Sequence, residues 1–178
     1  KLKKMIKFVY QNSPRGTGDA VLRCKRLIKY KYFLMLLPDD LIMKSNCSRT
    51  MLRLHSQYNS SVIASKKVKT KDVSRWGIFK LKKFSKNNFW ITDVVEKPKI
   101  SLSPSNYAVI GRYILPSKIF DILSKQKPGQ NGEIHITDAI RNLIHKKEKF
   151  IGHVFAGKYL DCGTMKGYIN SSVEIAKI

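Results

Sequence analysis

The apolar run Tyr32-Phe-Leu-Met-Leu-Leu-Pro38, followed directly by Asp39 and Asp40, is the clearest indication of fold class. It contains no polar alternation, which is typical of a strand buried on both faces of a parallel sheet. Residues 5–10 are a second short apolar segment, and the apolar residues between 20 and 28 recur at helical spacing. Strand, helix and strand in this order predict a βαβ unit with a right-handed crossover.

The alternation of strand-like and helical segments continues through the rest of the chain. We predict further strands over residues 61–68, 77–81, 89–95, 107–115, 150–156 and 159–160. Asn46, Ser117 and Thr137 are expected to cap three helices, and a last helix is expected from about Met165. The sequence therefore predicts an α/β protein with a largely parallel central sheet, in a single domain over residues 1–178.

The charge is strongly positive: 35 Lys and Arg residues against 12 Asp and Glu residues give a net charge of +23. Such a balance is typical of proteins that bind nucleic acid or an anionic membrane. However, 27 of the 35 basic residues are Lys, and they are scattered along the whole chain. Base-reading modules use Arg for bidentate contacts, so we expect a compositional bias rather than nucleic-acid binding, which stays as the alternative function.

The sequence shows no sign of a membrane or secreted protein. No apolar run approaches the ~18–20 residues that span a bilayer, and the N-terminal residues do not resemble a signal peptide. The three cysteines, Cys24, Cys47 and Cys162, include no CxxC pair. A disulfide framework is not expected, and a reducing cytoplasm fits this usage best.

Carboxylates follow two of the predicted strands. Asp39 and Asp40 come directly after the apolar run, and Asp161 follows Tyr159 and Leu160. In open α/β sheets, ligands bind beyond the carboxyl ends of the parallel strands. If these carboxylates meet at one sheet edge, their oxygens suit Mg²⁺ that bridges phosphates. A helix cap or a solvated turn is the structural alternative for Asp39 and Asp40.

Two other segments could bind a ligand. The loop from Gln11 to Gly18 lies between a predicted strand and a helix, and its glycines permit close backbone approach. It is neither a GxGxxG nor a Walker A motif. Glu96 and Lys97 stand at the end of a predicted strand before Pro98, where they could hold a sugar hydroxyl and a phosphate. An ordinary exposed ion pair is the alternative.

The remaining reactive residue types do not form a recognisable catalytic motif. The four histidines lack HxxxH or HExxH spacing, and no GxSxG nucleophile elbow is present, so covalent hydrolysis is disfavoured. His135 alternates with Ile134 and Ile136 and is expected to point away from the core. Trp76 and Trp90 are expected to serve packing.

Seven motifs in order resemble a known family. They are Phe8-Val-Tyr-Gln11 with Gly16-Thr-Gly18-Asp-Ala-Val-Leu22, Leu37-Pro-Asp-Asp-Leu-Ile42, Trp76-Gly77, Val94-Val-Glu-Lys-Pro98, Ser105-Asn-Tyr-Ala-Val-Ile-Gly-Arg-Tyr-Ile-Leu115, Gly132-Glu-Ile-His-Ile-Thr-Asp-Ala-Ile140 and Asp161-Cys-Gly163. Together they resemble the bacterial UTP–glucose-1-phosphate uridylyltransferases, the UDP-glucose pyrophosphorylases, over nearly the whole chain. The resemblance implies a Rossmann-like, mixed and largely parallel sheet of the sugar-nucleotidyltransferase type.

The resemblance also implies roles for individual residues. Gln11 and the backbone of Gly16 and Gly18 would hold the uracil, and Asp39 and Asp161 would bind Mg²⁺. The glucose site would be formed by Gly77, Glu96 and Gly111, with Lys97 on the sugar phosphate. Glucose 1-phosphate would attack the α-phosphorus of UTP in line and expel pyrophosphate without a covalent intermediate. The complete enzyme would be a homo-oligomer.

The chain departs from the family pattern at its beginning. The family's first strand and its Gly-rich, Arg-containing triphosphate loop do not precede Lys1 in this sequence. We therefore expect an N-terminally incomplete fold, in which the 178 residues alone do not synthesise UDP-glucose and are poorly soluble. A fragment, one part of a split enzyme and a decayed relic remain open.

Overall fold

The computed structural model describes residues 5–129 and 132–177. The strands are β1 (Tyr32–Leu36), β2 (Asp40–Met43), β3 (Ser61–Lys67), β4 (Gly77–Lys83), β5 (Asn88–Glu96), β6 (Tyr107–Pro116), β7 (Phe150–Val154) and β8 (Lys158–Asp161). The helices are α1 (Thr17–Arg23), α2 (Cys47–Tyr58), α3 (Ile119–Leu123), α4 (Ile136–His145) and α5 (Met165–Ile175). Within the described ranges, no helix combines the length and the apolar character needed to cross a membrane.

The central sheet is mixed. Its strand order is β1, β6, β3, β7, β5, β4, and β4 also touches β6. β3 and β7 run parallel, while the other pairings between described strands are antiparallel. The expected mixed α/β class is confirmed, but parallel pairings are the minority in this part of the chain. β2 and β8 form a separate antiparallel pair, the β2–β8 ribbon.

The predicted βαβ unit at the start of the chain is wrong. Residues 5–10 form no strand, and Phe8 and Tyr10 are about four-fifths exposed. β1 lies at the edge of the sheet, pairs antiparallel with β6 and exposes Leu34 and Leu36. An apolar run indicates a strand but does not identify its partner, and β6 covers only one edge of β1. α1 ends at Arg23, so it is also shorter than the predicted helix.

The strand buried on both faces is β6. Its side chains alternate between two apolar clusters that lie on opposite faces of the sheet. Val109 and Leu115 belong to the cluster that α1, α3 and α4 cover, whereas Ile110 and Ile114 belong to the cluster that α2 covers. The described residues therefore form three layers, with the sheet between two layers of helix.

The helix starts only partly follow the predicted caps. Asn46 caps α2 as expected, since its side chain accepts a hydrogen bond from the Arg49 N–H at 3.0 Å. Ser117 is not the cap of α3, because its hydroxyl donates to the Lys31 carbonyl. Thr137 is not the cap of α4 either; it lies inside the first turn, and its hydroxyl donates to Glu96. In both corrected cases another acceptor takes the hydroxyl proton.

Candidate active site

A cavity of about 340 Å³ opens where the start of β4, the end of β5 and the middle of β6 meet the β2–β8 ribbon and the N-terminus of α4. Six of the residues predicted from the sequence line it: Asp39, Gly77, Glu96, Lys97, Gly111 and Asp161. The other three, Gln11, Gly16 and Gly18, lie outside this lining, although Thr17 between the two glycines belongs to it. The structure thus gathers the predicted phosphate and sugar residues but not the predicted uracil residues.

The β2–β8 ribbon brings the carboxylates of Asp39 and Asp161 together. The Cys162 N–H donates to the Asp39 carbonyl at 2.8 Å, and the Gly163 N–H donates to Asp161 Oδ1 at 3.0 Å. A Cβ placed on Gly163 would lie 2.8 Å from Asp39 Oδ2 and 3.3 Å from Asp161 Oδ1. Both carboxylates therefore lie beside Gly163, where any larger residue would place its Cβ against them.

The chemistry of this carboxylate pair fits Mg²⁺. Mg²⁺ is bound in proteins through one or two carboxylates, with waters and substrate phosphates completing an octahedral shell. The described residues contain no cluster of three or more His, Cys, Asp and Glu side chains that could hold a metal alone. Asp39 and Asp161 would thus supply part of a coordination shell and leave positions for phosphate oxygens.

Arg75 already neutralises one of these carboxylates. Its Nη2 lies 3.2 Å from Asp161 Oδ2, and its guanidinium stacks over the Trp76 ring. The Arg75 side chain is about half exposed, so this ion pair contributes little to stability. A cation that binds Asp161 Oδ2 would therefore compete with the Arg75 guanidinium for that oxygen.

Asp40, in contrast, is engaged inside the protein. Its Oδ2 accepts a 2.6 Å hydrogen bond from the Gly111 N–H, and its Oδ1 accepts one from the Tyr159 hydroxyl. Burial raises the pKa of the Asp40 carboxyl above its ordinary value, although both hydrogen bonds act in the opposite direction. A Cβ on Gly111 would overlap Asp40 Oδ2 and Leu37, which explains why only glycine fits there.

Glu96 and Lys97 also line the cavity. Glu96 is half-buried, and its Oε2 accepts a hydrogen bond from the Thr137 hydroxyl at 2.8 Å. Gly77 is the register partner of Glu96, and a Cβ at Gly77 would press on Val109, Glu96 and Thr137. Lys97 is exposed and adopts φ 42°, a left-handed conformation that costs a non-glycine residue of the order of 1 kcal/mol or more. Lys97 therefore borders the cavity from a left-handed turn directly after β5.

The Gln11–Gly18 loop packs against the segment before α4. Gln11 Nε2 donates to Asp19 Oδ2 at 2.7 Å and to the Gly16 carbonyl at 3.1 Å, and this contact lowers the pKa of Asp19. The Gly18 N–H donates to the Ile134 carbonyl at 2.7 Å. Gly16 has φ 95°, and a Cβ there would lie 2.7 Å from the same carbonyl oxygen. Both glycines are therefore required by backbone packing, whatever they bind.

Several lining residues had no ligand role assigned from the sequence, among them Arg75, Trp76, His135 and Thr137. His135 lies between the buried Ile134 and Ile136, and its side chain, 15% exposed, borders the cavity beside Glu133. Trp76 packs against Tyr159 with ring centroids 5.9 Å apart, so the expected packing role is confirmed. A repeating hydrophobic pattern cannot distinguish a residue that faces solvent from one that faces a cavity.

These features define a three-layer α/β protein with a cavity lined by carboxylates and basic side chains at one side of its sheet. The family model described as "Nucleotidyl transferase" matches residues 1–178. The chain therefore belongs to the nucleotidyl transferase family.

Individual relatives are similar over almost the whole chain. A UTP–glucose-1-phosphate uridylyltransferase of Streptococcus pyogenes is 36% identical in an alignment 177 positions long, and the match covers 96% of this chain and 58% of the relative. The crystal structure of UDP-glucose pyrophosphorylase complexed with UDP-glucose is 40% identical, with a TM-score of 0.90 over 96% of this chain and 66% of that chain. UTP-bound UGPase from Acinetobacter baumannii is 28% identical, with a TM-score of 0.79 over 92% of this chain and 57% of that one. The chain thus spans less than two thirds of the length of each of these proteins.

Proposed function

We propose that this chain acts in a UTP–glucose-1-phosphate uridylyltransferase, an enzyme that forms UDP-glucose and pyrophosphate from UTP and glucose 1-phosphate. The observation that carries the proposal is that one cavity brings the Asp39–Asp161 carboxylates together with Glu96 and Lys97. The streptococcal relative by its name, and the UDP-glucose complex by its ligand, support the choice of nucleotide and sugar.

In the sugar site, Glu96 and Lys97 would contact different parts of glucose 1-phosphate. Glu96 Oε2 is held by Thr137, so Oε1 is the oxygen that would accept a hydrogen bond from a glucose hydroxyl. Lys97 would bind the phosphate of glucose 1-phosphate as a point charge and orient its oxygen for attack on the α-phosphorus. Catalysis would come from positioning and charge neutralisation, without a covalent intermediate.

On the nucleotide side, Gln11 would recognise the uracil ring together with the backbone at Gly16 and Gly18. Gln11 Nε2 is engaged by Asp19 and Gly16, so Oε1 is the atom that would accept the N3–H of uracil. This ring position carries the same hydrogen in uracil and thymine, and the contact would exclude cytosine, whose N3 carries no hydrogen.

Asp39 and Asp161 would hold Mg²⁺, which would supply the neutralisation of phosphate charge that this reaction needs. In binding it, Asp161 would exchange the Arg75 guanidinium for the cation. The proposal also includes a cytoplasmic setting in carbohydrate metabolism and a homo-oligomeric complete enzyme. The alternative, a basic nucleic-acid-binding protein, rests on the net charge alone.

The test is synthesis by the whole protein that the gene encodes, with product identified chromatographically. UTP, glucose 1-phosphate and Mg²⁺ should yield UDP-glucose and pyrophosphate, CTP should not replace UTP, and chelation should stop the reaction. A protein that folds and makes no UDP-glucose, but binds RNA or DNA with a steep salt dependence, would favour the alternative.

A further inference from the structure

Asp40 is a buried carboxylate whose two oxygens are both used by the protein itself. It is 8% exposed, with Tyr159 donating to Oδ1 and the Gly111 N–H donating to Oδ2 at 2.6 Å. Asp40 therefore faces neighbouring strands, although it is adjacent to Asp39 and opposite Asp161. Asp40 also borders the cavity, but both of its oxygens accept hydrogen bonds from the protein, which distinguishes it from Asp39 and Asp161.

The three partners belong to different parts of the fold. Asp40 opens β2, Tyr159 belongs to β8, and Gly111 lies in the middle of β6. Asp40 is the register partner of Asp161, and Tyr159 precedes Asp161 by two residues, so the side chains of Tyr159 and Asp161 leave β8 on the same face. The Asp40 carboxylate thus ties both strands of the β2–β8 ribbon to the central sheet.

The ribbon needs such a connection. A two-stranded antiparallel pair is marginally stable alone, and the β2–β8 ribbon is not part of the six-stranded sheet. A backbone bond from the Leu37 N–H to the Gly111 carbonyl at 2.8 Å anchors the chain just before Asp39. On the other side of Asp39, the Asp40 side chain makes the corresponding anchor. Asp39 is thus held between two attachments to the same residue of β6.

We propose that Asp40 and Tyr159 are positioning residues that set the separation of the Asp39 and Asp161 carboxylates and so select Mg²⁺ over larger divalent cations. This inference rests on the proposed function, because it assumes that Asp39 and Asp161 bind the metal. Mg²⁺ requires near-ideal octahedral geometry at 2.0–2.1 Å, whereas Ca²⁺ accepts 6–8 oxygens at 2.3–2.6 Å in flexible arrangements. If the two carboxylates are less firmly positioned, Mg²⁺ binding should therefore weaken more than Ca²⁺ binding.

The test is cation binding by Tyr159→Phe, which removes only the hydroxyl that binds Asp40. Mn²⁺ bound to the whole protein is followed by electron paramagnetic resonance and displaced by Mg²⁺ or by Ca²⁺. Direct hydrogen-bond partners of metal ligands contribute about 10- to 100-fold to affinity, and Tyr159 acts one step further out through Asp40, so we expect Mg²⁺ to bind about tenfold more weakly, at the lower end of that range. We expect Ca²⁺ to change by less than about threefold, since its coordination is adaptable. Tyr107→Phe, outside the cavity, is the matched control.

The outcomes separate this inference from the proposed function. If Asp161→Asn binds Mn²⁺ as well as the unmodified protein, the metal site itself is wrong. If Asp161→Asn loses Mn²⁺ but Tyr159→Phe keeps the Mg²⁺ to Ca²⁺ ratio, the site stands and the positioning role is overturned. A purely structural role would lower the melting temperature of Tyr159→Phe without changing that ratio. Should Tyr159→Phe not fold, Asp40→Asn carries the same test: an unchanged ratio overturns the proposal, because loss of charge alone weakens both cations alike.

Discussion

Thr137 holds Glu96 in place: the Thr137 hydroxyl, on the first turn of α4, donates a 2.8 Å hydrogen bond to Glu96 Oε2 at the end of β5. Thr137 is 6% exposed, so this hydroxyl is withdrawn from water and its proton has a fixed acceptor. The bond fixes one oxygen of Glu96 and leaves the other to the cavity. A helix and a strand that are about forty residues apart in the chain thereby share one side of the candidate sugar site.

Thr137→Val should therefore affect the use of the sugar phosphate. Valine keeps the shape of threonine but removes the donor, so Glu96 loses its fixed orientation. We expect KM for glucose 1-phosphate to rise about tenfold, the effect of losing roughly 1.4 kcal/mol from a charge-assisted bond, while KM for UTP stays unchanged. Steady-state kinetics with both substrates checks this.

Two variants control for this effect. Thr137→Ser keeps the hydroxyl and should restore KM. Ser65→Ala removes another buried hydroxyl, which donates to the Ala108 carbonyl at 2.9 Å, and should lower stability without changing sugar use. An identical KM for glucose 1-phosphate in Thr137→Val and the unmodified protein would mean that Glu96 does not depend on this bond.

Asp161→Asn and Asp39→Asn should each reduce turnover far more than stability. Both carboxylates border the opening at Gly163 and lie outside the apolar clusters, so folding does not depend on their charge. We expect kcat to fall on the order of 10²-fold or more, because several kcal/mol of charge stabilisation in the transition state would be lost. The assay is UDP-glucose formation at saturating Mg²⁺, with thermal unfolding measured in parallel.

Asp121→Asn serves as the matched control, since the Asp121 side chain is 72% exposed and pairs with Lys25 at the surface. Its turnover should equal that of the unmodified protein. Normal turnover of Asp161→Asn at saturating Mg²⁺ would defeat the assignment of the carboxylate pair.

The sequence predicted most of the candidate site because each residue lies at a strand end or in a local motif. Asp39, Glu96, Lys97 and Asp161 were found in this way, and all four line one cavity. Thr137 was missed because a threonine at a helix start is usually a cap, and only the fold shows that a carboxylate lies within reach. Whether Thr137 caps its helix or binds Glu96 depends on a contact between distant segments, which local sequence spacing does not encode.

The same contrast between local patterns and contacts of distant segments explains which elements of the fold were predicted correctly and which were not. β3, β5 and β6 were predicted nearly to the residue, because their apolar runs are bounded by polar turns. The partner of β1 was wrong because a run of apolar residues looks alike in a central strand and in an edge strand with one covered face. Pairing and direction follow from which strands bury each other, and that is a property of the whole sheet.

Lys97→Ala should weaken glucose 1-phosphate binding more than UTP binding. Lys97 is an exposed cation at the cavity and would interact with the sugar phosphate through charge-assisted hydrogen bonds. Removal of one such bond costs about 1.5–3 kcal/mol, so we expect KM for glucose 1-phosphate to rise at least about tenfold. Lys99→Ala, two residues further on and also exposed, removes the same charge and should leave both KM values unchanged. If Lys97→Ala raises KM equally for both substrates, Lys97 is an ordinary surface residue and does not bind the sugar phosphate.

His153 should make the fold less stable below neutral pH. It is 8% exposed on β7, its Nδ1 lies 2.8 Å from Asn88 Oδ1, and burial lowers its pKa below the ordinary value of 6.5. Between the lowered pKa of the folded state and 6.5, the unfolded chain binds a proton that the folded chain does not. The free energy of unfolding contributed by His153 is therefore fully present above pH 6.5 and decreases as the pH falls through that window.

Urea unfolding at pH 7.5 and pH 5.5 tests this, with His153→Gln compared with the unmodified protein. Glutamine cannot titrate, so the difference in unfolding free energy between the two pH values should be smaller in His153→Gln. The raised pKa of Asp40 acts in the opposite direction, and because it is present in both proteins it cancels in the comparison. If His153→Gln loses as much stability on acidification as the unmodified protein does, the pH dependence arises from other groups.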